Sequence, residues 1–185
     1  MKGKFIVISG PGGVGKDTIV KEIVNRGIAI YSVSMTTRKK RSNELEGKDY
    51  FFVDTNTFED NIKNKKILEY TLFNGNYYGT PSGFVFDNLE KGINVIGILD
   101  INGALNIEKI YPEAISIFIM PPSFEELKNR ITNRNTDSKE VIKERLEIAK
   151  DEMNYKNKYD YVVINNSVDK TVEEIINIIK FEKNK

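Results

Sequence analysis

Short apolar runs alternate with helical patterns along most of the chain. The first run, FIVIS at 5–9, is bounded by glycine and is typical of a buried parallel strand, and similar runs follow at 93–99, 114–120 and 159–164. Apolar residues recur at helical spacing after the first run as far as Gly27, and again at about 102–110, 123–133, 138–155 and 170–181. Strands that alternate with helices predict a parallel sheet that is covered by helices on both faces.

Two segments interrupt this alternation. The segment 34–80 is polar and rich in tyrosine, contains the basic cluster TTRKKR and has short strand-like pieces such as YFFV, so we predict that it is an insert. The segment 129–138, NRITNRNTDS, is also polar, contains arginines and separates two helical patterns. We expect both segments to lie outside the main sheet.

Composition limits the chemistry that is open to this protein. A chain of 185 residues favours one compact domain with small inserts, and 28 Lys plus Arg against 27 Asp plus Glu give no overall field for nucleic acid or an anionic membrane. Cysteine and histidine are absent, so catalysis must use carboxylates, Lys, Arg, hydroxyls and backbone groups. No apolar run approaches the ~18 residues of a membrane span, and none near the start suits a signal peptide. We therefore expect a cytoplasmic protein.

The segment GPGGVGKD, which starts at Gly10, matches two phosphate-binding motifs. Gly10, Gly12 and Gly15 spell G-x-G-x-x-G, whereas Gly10, Gly15 and Lys16 spell most of G-x-x-x-x-G-K-[ST]. A dinucleotide fold needs an acidic residue ~20 positions further on, and 30–37, IYSVSMTT, contains none. A phosphate loop requires the lysine, whose ammonium reaches the β- and γ-oxygens while backbone N–H groups cradle the phosphates. A phosphate loop is favoured over a dinucleotide loop and over an ordinary glycine turn between a strand and a helix.

The phosphate-loop pattern breaks at Asp17. The motif calls there for a hydroxyl that holds magnesium, and Thr18 follows one place late. Mg²⁺ usually keeps several of its waters, and an acidic side chain is mildly favoured in a first helical turn. We interpret Asp17 as a changed metal ligand, which binds Mg²⁺ directly or through a water.

From Ser34 onwards the chain contains SMTTRKKRSNELEGKDYFF, LEYTLFNGNYYGT, LDINGA, IFIMPPSFEELKNRITNRNTDSKEVIKERL and YDYVVINN. In this order and spacing they closely resemble the guanylate kinase family, and the resemblance covers nearly the whole chain. It implies phosphorylation of GMP to GDP by ATP with Mg²⁺, in purine nucleotide metabolism, with no nucleic-acid or membrane partner. The fold that it implies is a phosphate-loop α/β kinase: a core with a parallel sheet flanked by helices (1–33, 81–123 and 146–185), a GMP-binding insert (34–80) and a helical lid (124–145).

The resemblance also implies an acceptor pocket for GMP. Guanidinium groups match phosphate oxygens bidentately, which suits Arg38 and Arg41 to the GMP phosphate, and the hydroxyls of Tyr50 and Tyr78 would join them. A carboxylate can accept from both the N1–H and the 2-amino group of guanine, which adenine lacks. Glu69 would read the base in this way. The family pattern adds three further acceptor residues: Ser34, Thr80 and Asp100.

On the donor side, the resemblance implies that ATP is held by the loop and by residues further along the chain. The ATP-binding candidates are Gly10, Pro11, Gly12, Gly13, Val14, Gly15, Lys16, Asp17, Thr18, Arg130 and Asn165. Phosphoryl transfer needs alignment of the substrates and positive charge around the moving group, so the catalytic candidates are Lys16, Arg134 and Arg145. Two further departures from the family pattern are Gly12, where serine is common, and Asn166, where aspartate is usual.

Two other functions are compatible with part of this pattern. One is a kinase of the same fold for another phosphorylated small molecule, which Glu69, Arg38 and Arg41 argue against. The other is a guanylate-kinase-like binding module without catalysis, which Lys16 and the lid arginines argue against. The sequence specifies no oligomeric state.

Overall fold

Strands and helices alternate along the part of the chain that the computed structural model describes, residues 1–133 and 138–185. The strands are β1 (Phe5–Ser9), β2 (Ile30–Tyr31), β3 (Met35–Thr36), β4 (Phe51–Phe52), β5 (Ile67–Phe73), β6 (Asn76–Pro81), β7 (Val95–Ile98), β8 (Ile115–Met120) and β9 (Tyr161–Ile164). The helices are α1 (Lys16–Asn25), α2 (Thr55–Lys63), α3 (Ser82–Glu90), α4 (Ile101–Ile110), α5 (Phe124–Thr132), α6 (Lys139–Met153) and α7 (Val168–Lys183), with a 3-10 turn at Lys156–Lys158.

Five parallel strands form the larger sheet, in the order β2-β7-β1-β8-β9. The register pairs Ile8 of the central strand with Ile98 on one side and Ile117 on the other. All five residues of β1 are buried, as the continuous apolar run predicts. The carboxyl ends of β1 and β7 therefore lie side by side, at the edge where open α/β sheets bind ligands.

Helices cover both faces of this sheet, which confirms the predicted architecture. Ile6 and Ile8 belong to a buried cluster that includes residues of α1 and α7. Phe5 and Val7 point to the opposite face, into a second cluster with residues of α3 and α4. Alternation along β1 thus places successive side chains in two separate cores, because successive side chains of a strand point to opposite faces.

A second sheet, in the order β4-β3-β6-β5, is formed by the polar segment 34–80 and the adjoining Pro81. Strands β5 and β6 make an antiparallel hairpin, and the turn residues Asn74 and Gly75 both have positive φ, 47° and 73°. Asn-Gly is the pair that two-residue hairpin turns favour. Among the described residues, no helix of either region has the length and apolar composition that crossing a membrane requires.

Two helices were not predicted. Helix α2 starts after Asp54, whose carboxylate accepts a hydrogen bond from Thr57 N at 2.8 Å, but its only buried residue is Phe58. Helix α3 buries only Val85 and Leu89, which are four positions apart. Such short apolar patterns are too brief to distinguish a helix from a loop, because one or two buried positions define no period.

Candidate active site

A cleft opens where the carboxyl ends of β1 and β7 face the smaller sheet. It is lined by eight residues that the sequence assigns to substrates: Gly10, Gly12, Lys16, Ser34, Tyr50, Glu69, Tyr78 and Asp100. The lining also includes Thr71, Ile148 and Glu152, which the sequence did not single out. Candidates for the donor and acceptor sides therefore meet across a single cleft.

The loop between β1 and α1 depends on glycine for its path. Gly10 has a φ of 144°, and a Cβ there would lie 2.4 Å from the carbonyl oxygen of Ile119 on the neighbouring strand. Gly15 has a φ of 102° immediately before the first residue of α1. Because only glycine adopts such angles without strain, these two positions allow the loop to turn tightly against the sheet.

Lys16 and Gly12 show how the loop's polar groups are used. The Lys16 Nζ donates to the carbonyl oxygens of Gly10, at 2.6 Å, and of Pro11, at 3.2 Å. The backbone N–H of Gly12 donates to Oε2 of Glu152 at 3.0 Å. The ammonium therefore lies against the loop itself, and a carboxylate from α6 occupies one of the loop's amides.

Asn165 and Arg130 support the loop from the adjoining strand and helix. Asn165 is 4% exposed; its Nδ2 donates to Val14 O at 2.8 Å, and its Oδ1 accepts from the Thr171 hydroxyl at 3.1 Å. The guanidinium of Arg130 reaches Val14 O at 3.4 Å and Asn165 O at 3.3 Å. Both ends of the Asn165 amide are thus engaged within the protein. A contact between Asn165 and adenine stays a prediction.

Glu69 is a buried carboxylate on β5. It is 4% exposed and accepts a hydrogen bond from the Thr80 hydroxyl at 2.7 Å. Burial raises the pKa of Glu69 to about 7, the Thr80 hydrogen bond opposes this rise, and the charge of Asp100 adds to it. Gly103 leaves room for this carboxylate, because a Cβ there would lie 2.9 Å from Glu69 Oε2.

Asp100 combines a structural contact with a place in the cleft. Its Oδ1 accepts from Gly103 N at 2.7 Å, which caps the N-terminus of α4. Its Oδ2 accepts from the Thr71 hydroxyl at 2.9 Å. The side chain is therefore held at the end of β7 by one contact from α4 and one from β5.

Arg38 is held by Glu44, a residue that the sequence analysis missed. The two side chains form a bidentate pair, with Nη2 of Arg38 donating to Oε1 of Glu44 at 2.7 Å and Nη1 donating to Oε2 at 3.0 Å. This pair lowers the pKa of Glu44, and Glu44 also accepts from the backbone N–H of Arg41 at 2.8 Å. The Arg38 guanidinium lies 5.5 Å from the ring centre of Tyr50, which in turn packs edge-on against Tyr78 at 5.9 Å.

Almost the whole chain is similar to a known protein family. The family model described as Guanylate kinase matches residues 2–182. The chain belongs to the guanylate kinase family. The resemblance predicted from the sequence motifs is thereby confirmed.

Known guanylate kinases are similar to this chain over almost its full length. The guanylate kinase of Clostridium tetani is 49% identical over 182 residues, which span 98% of this chain and 88% of that protein. The guanylate kinase of Prochlorococcus marinus is 44% identical over 178 residues, 96% of this chain and 97% of that protein. The crystal structure of guanylate kinase from Anaplasma phagocytophilum superimposes with a TM-score of 0.82 at 34% identity, covering 100% of this chain and 88% of that one.

Several residues that the guanylate kinase pattern assigns to substrates lie outside the cleft lining. Arg41, Asp17 and Thr18 are exposed, and Arg145 is exposed on α6. Arg134 lies outside the residues that the structure describes. Within residues 1–133 and 138–185, no group of three acidic side chains could by itself hold a metal ion, so Asp17 stands as a single carboxylate in the first turn of α1.

Proposed function

We propose that this chain transfers the γ-phosphoryl group of ATP to GMP, giving ADP and GDP, and that Mg²⁺ accompanies the ATP. The observation that carries the proposal is the placement of buried Glu69 and the phosphate loop across one cleft in a member of the guanylate kinase family. A carboxylate that reads guanine and a loop that cradles phosphates are the two parts that this reaction requires. We also propose that the chain divides into a core, a GMP-binding segment at 34–80 and a lid at 124–145. We further propose that the protein is cytoplasmic and acts on free nucleotides.

Glu69 supplies the selectivity for guanine. Its ionised carboxylate accepts from the N1–H and the 2-amino group of the base, with Ser34 and Thr80 beside it. Adenine offers neither donor there, so AMP would leave the buried carboxylate without the two partners that guanine supplies, and an unsatisfied buried acceptor is costly. The Thr80 hydroxyl already orients one carboxylate oxygen before the base arrives.

Arg38 and Arg41 bind the phosphate of GMP, together with the hydroxyls of Tyr50 and Tyr78. The bidentate pair with Glu44 fixes the Arg38 guanidinium, and the backbone of Arg41 is joined to the same carboxylate. A fixed guanidinium loses little freedom when it binds the phosphate. Asp100 lies at the boundary between this pocket and the phosphate loop.

The donor phosphates bind to the backbone N–H groups of the loop, and the Lys16 ammonium moves from the loop carbonyls to the β- and γ-oxygens. Arg134 and Arg145 add positive charge around the transferring group. Bound Mg²⁺ would supply positive charge to the triphosphate. Because the described residues contain no group of three acidic side chains that could hold it, the ion would keep most of its waters, and Asp17 would bind it directly or through one of those waters.

An assay of ADP release with different acceptors tests this proposal. We expect turnover with GMP and dGMP and little with AMP, UMP or ribose phosphates. Equal use of AMP or UMP would show that the guanine assignment is wrong. Preferential use of a ribose phosphate would favour the kinase for another small molecule, and no turnover with any acceptor would favour the binding module.

A further inference from the structure

Glu152 places a carboxylate on the phosphate loop. Its Oε2 accepts from the Gly12 N–H at 3.0 Å, and the two residues are 140 positions apart in the chain. Backbone N–H groups of such a loop are the donors that bind phosphate oxygens. An anionic side chain on one of them therefore makes the same kind of contact as a phosphate.

Glu152 lies at a position on α6 that disfavours its negative charge. The helix ends at Met153, so Glu152 lies in its last turn, where the helix macrodipole disfavours negative charge. Burial raises the pKa of Glu152, while the Gly12 amide and the charge of Lys16 oppose that rise. The contacts with the loop therefore favour the ionised form of Glu152, which its burial and its position in the last turn of α6 both disfavour.

The other side of Gly12 is open. Gly12 is exposed, and a Cβ at this position would meet no atom within 4 Å. Ile148, one turn before Glu152 on α6, lines the same cleft, and the Lys16 ammonium donates to Gly10 O and Pro11 O. Glu152 and the Lys16 ammonium therefore already hold loop groups in the cleft that a ligand phosphate would enter.

We propose that Glu152 competes with the triphosphate for the phosphate loop, so that its carboxylate holds the Gly12 amide until ATP takes its place. The inference rests on the proposed use of the loop as the ATP site. Glu152 accordingly lowers donor affinity, because its carboxylate must leave the Gly12 amide before a phosphate oxygen can accept from that N–H.

Titration calorimetry with ATP and excess Mg²⁺, in the absence of GMP, tests the competition. We expect Glu152→Ala to bind ATP about five- to tenfold more tightly than the unchanged protein, since a competing hydrogen bond to a charged group is removed. Glu152→Gln, which keeps the shape and an acceptor oxygen but loses the charge, should tighten ATP less. Asp151→Ala removes an exposed carboxylate from the adjacent position and should leave ATP affinity unchanged.

The competition is overturned if either Glu152 variant binds ATP more weakly or as well as the unchanged protein, or if Asp151→Ala tightens ATP as much as Glu152→Ala. GMP affinity, measured alone, should be the same in all four proteins, and a parallel change in GMP affinity would also overturn it. Normal GMP phosphorylation with equal ATP affinity in all four proteins would remove the competition and leave the proposed function standing. Melting temperatures identify any variant that fails to fold, and Glu152→Gln retains the side-chain shape for that case.

Discussion

The acceptor and donor sides of the cleft are built in different ways. On the acceptor side, side chains hold one another: Arg38 is paired with Glu44, Glu69 with Thr80 and Asp100 with Thr71. On the donor side most contacts involve the backbone of a glycine-rich turn. The Gly12 N–H donates to Glu152, and the Lys16 ammonium donates to the carbonyl oxygen of Gly10. Reading a base requires prearranged side chains, whereas holding phosphates requires backbone amides and mobile charge.

This difference explains why the donor loop tolerates unusual residues. Gly12 is open on its outer side, so the backbone cradle does not depend on what its side chain would be. Asp17 is exposed in the first turn of α1. A comparable change at Glu69 would leave the buried Thr80 hydroxyl without its acceptor and remove the group that we propose reads the base.

The largest effect is expected for an arginine that acts only during transfer. Arg145→Ala should lower kcat by about 10²- to 10⁵-fold and change the KM for GMP far less, because charge around the moving phosphoryl group matters most in the transition state. Lys143→Ala removes another exposed cation from α6 and serves as the control. Steady-state kinetics decide it; equal, small effects of both substitutions would assign Arg145 to the solvated face of the helix. Arg134→Ala is expected to behave like Arg145→Ala.

Selectivity should collapse when the acceptor carboxylate loses its charge. The unchanged enzyme should prefer GMP over AMP by roughly 10⁴-fold in kcat/KM, as is typical of a polar pocket that loses its partners. Glu69→Gln should remove most of that preference, chiefly by weakening GMP, because the amide cannot accept from both donors of guanine. A variant that keeps the full preference would place base recognition elsewhere in the insert.

Sequence patterns predicted the main sheet and the residue types of the cleft, but not the partners that position them. Strands β1, β7 and β8 are recognisable because they are largely buried on both faces, whereas β9, at the edge of the sheet, exposes Val162 and Ile164 and is recognisable by its apolar run alone. The loop glycines Gly10 and Gly15 are specified by their positive φ. The contact between Gly12 and Glu152 spans 140 positions, so no local spacing indicates it. Glu44 follows the end of the basic cluster TTRKKR by three positions, yet the charge pattern alone does not distinguish a paired carboxylate from a solvated one. Tertiary partners of this kind require the fold.

The raised pKa of Glu69 makes stability depend on pH. A glutamate in an unfolded chain has a pKa of about 4.3, whereas Glu69 in the folded protein has a pKa of about 7. Between about pH 4.3 and pH 7, the folded protein therefore holds a proton on Glu69 that the unfolded chain has lost. Stability that comes from protonated Glu69 is therefore present at low pH and is lost as the pH rises through about 7. The free energy of unfolding of the unchanged protein, relative to Glu69→Gln, should fall by about 2 to 3 kcal/mol from pH 4.5 to pH 8. Urea unfolding of both proteins measures this, and a difference that is constant with pH would contradict the buried-carboxylate assignment.

Prearrangement of Arg38 can be tested through Glu44. Glu44→Gln should raise the KM for GMP about five- to tenfold with little change in kcat, because a looser guanidinium loses more freedom on binding phosphate and one charge-assisted hydrogen-bond pair is weakened. Arg38→Ala should raise the KM further, and adding Glu44→Gln to it should have almost no extra effect. Additive effects of the two substitutions would show that Glu44 acts on GMP without Arg38.

The smallest effect is expected at Asp17, where the donor side departs most clearly from the usual loop. Its carboxylate follows the phosphate lysine directly, so it can bind Mg²⁺ or a metal-bound water, and without metal its charge opposes ATP. ATP affinity should therefore depend on magnesium a few-fold more steeply in the unchanged protein than in Asp17→Ser, and Asp17→Asn should tighten metal-free ATP. If Asp17 only complements the dipole of α1, both variants lose about 0.3 to 1 kcal/mol of stability and the magnesium titrations superimpose. Titrating Mg²⁺ at fixed ATP for the three proteins separates these cases. The comparison with Asp17→Asn reports the charge at position 17, and the comparison with Asp17→Ser adds the effect of the hydroxyl that the motif usually has there.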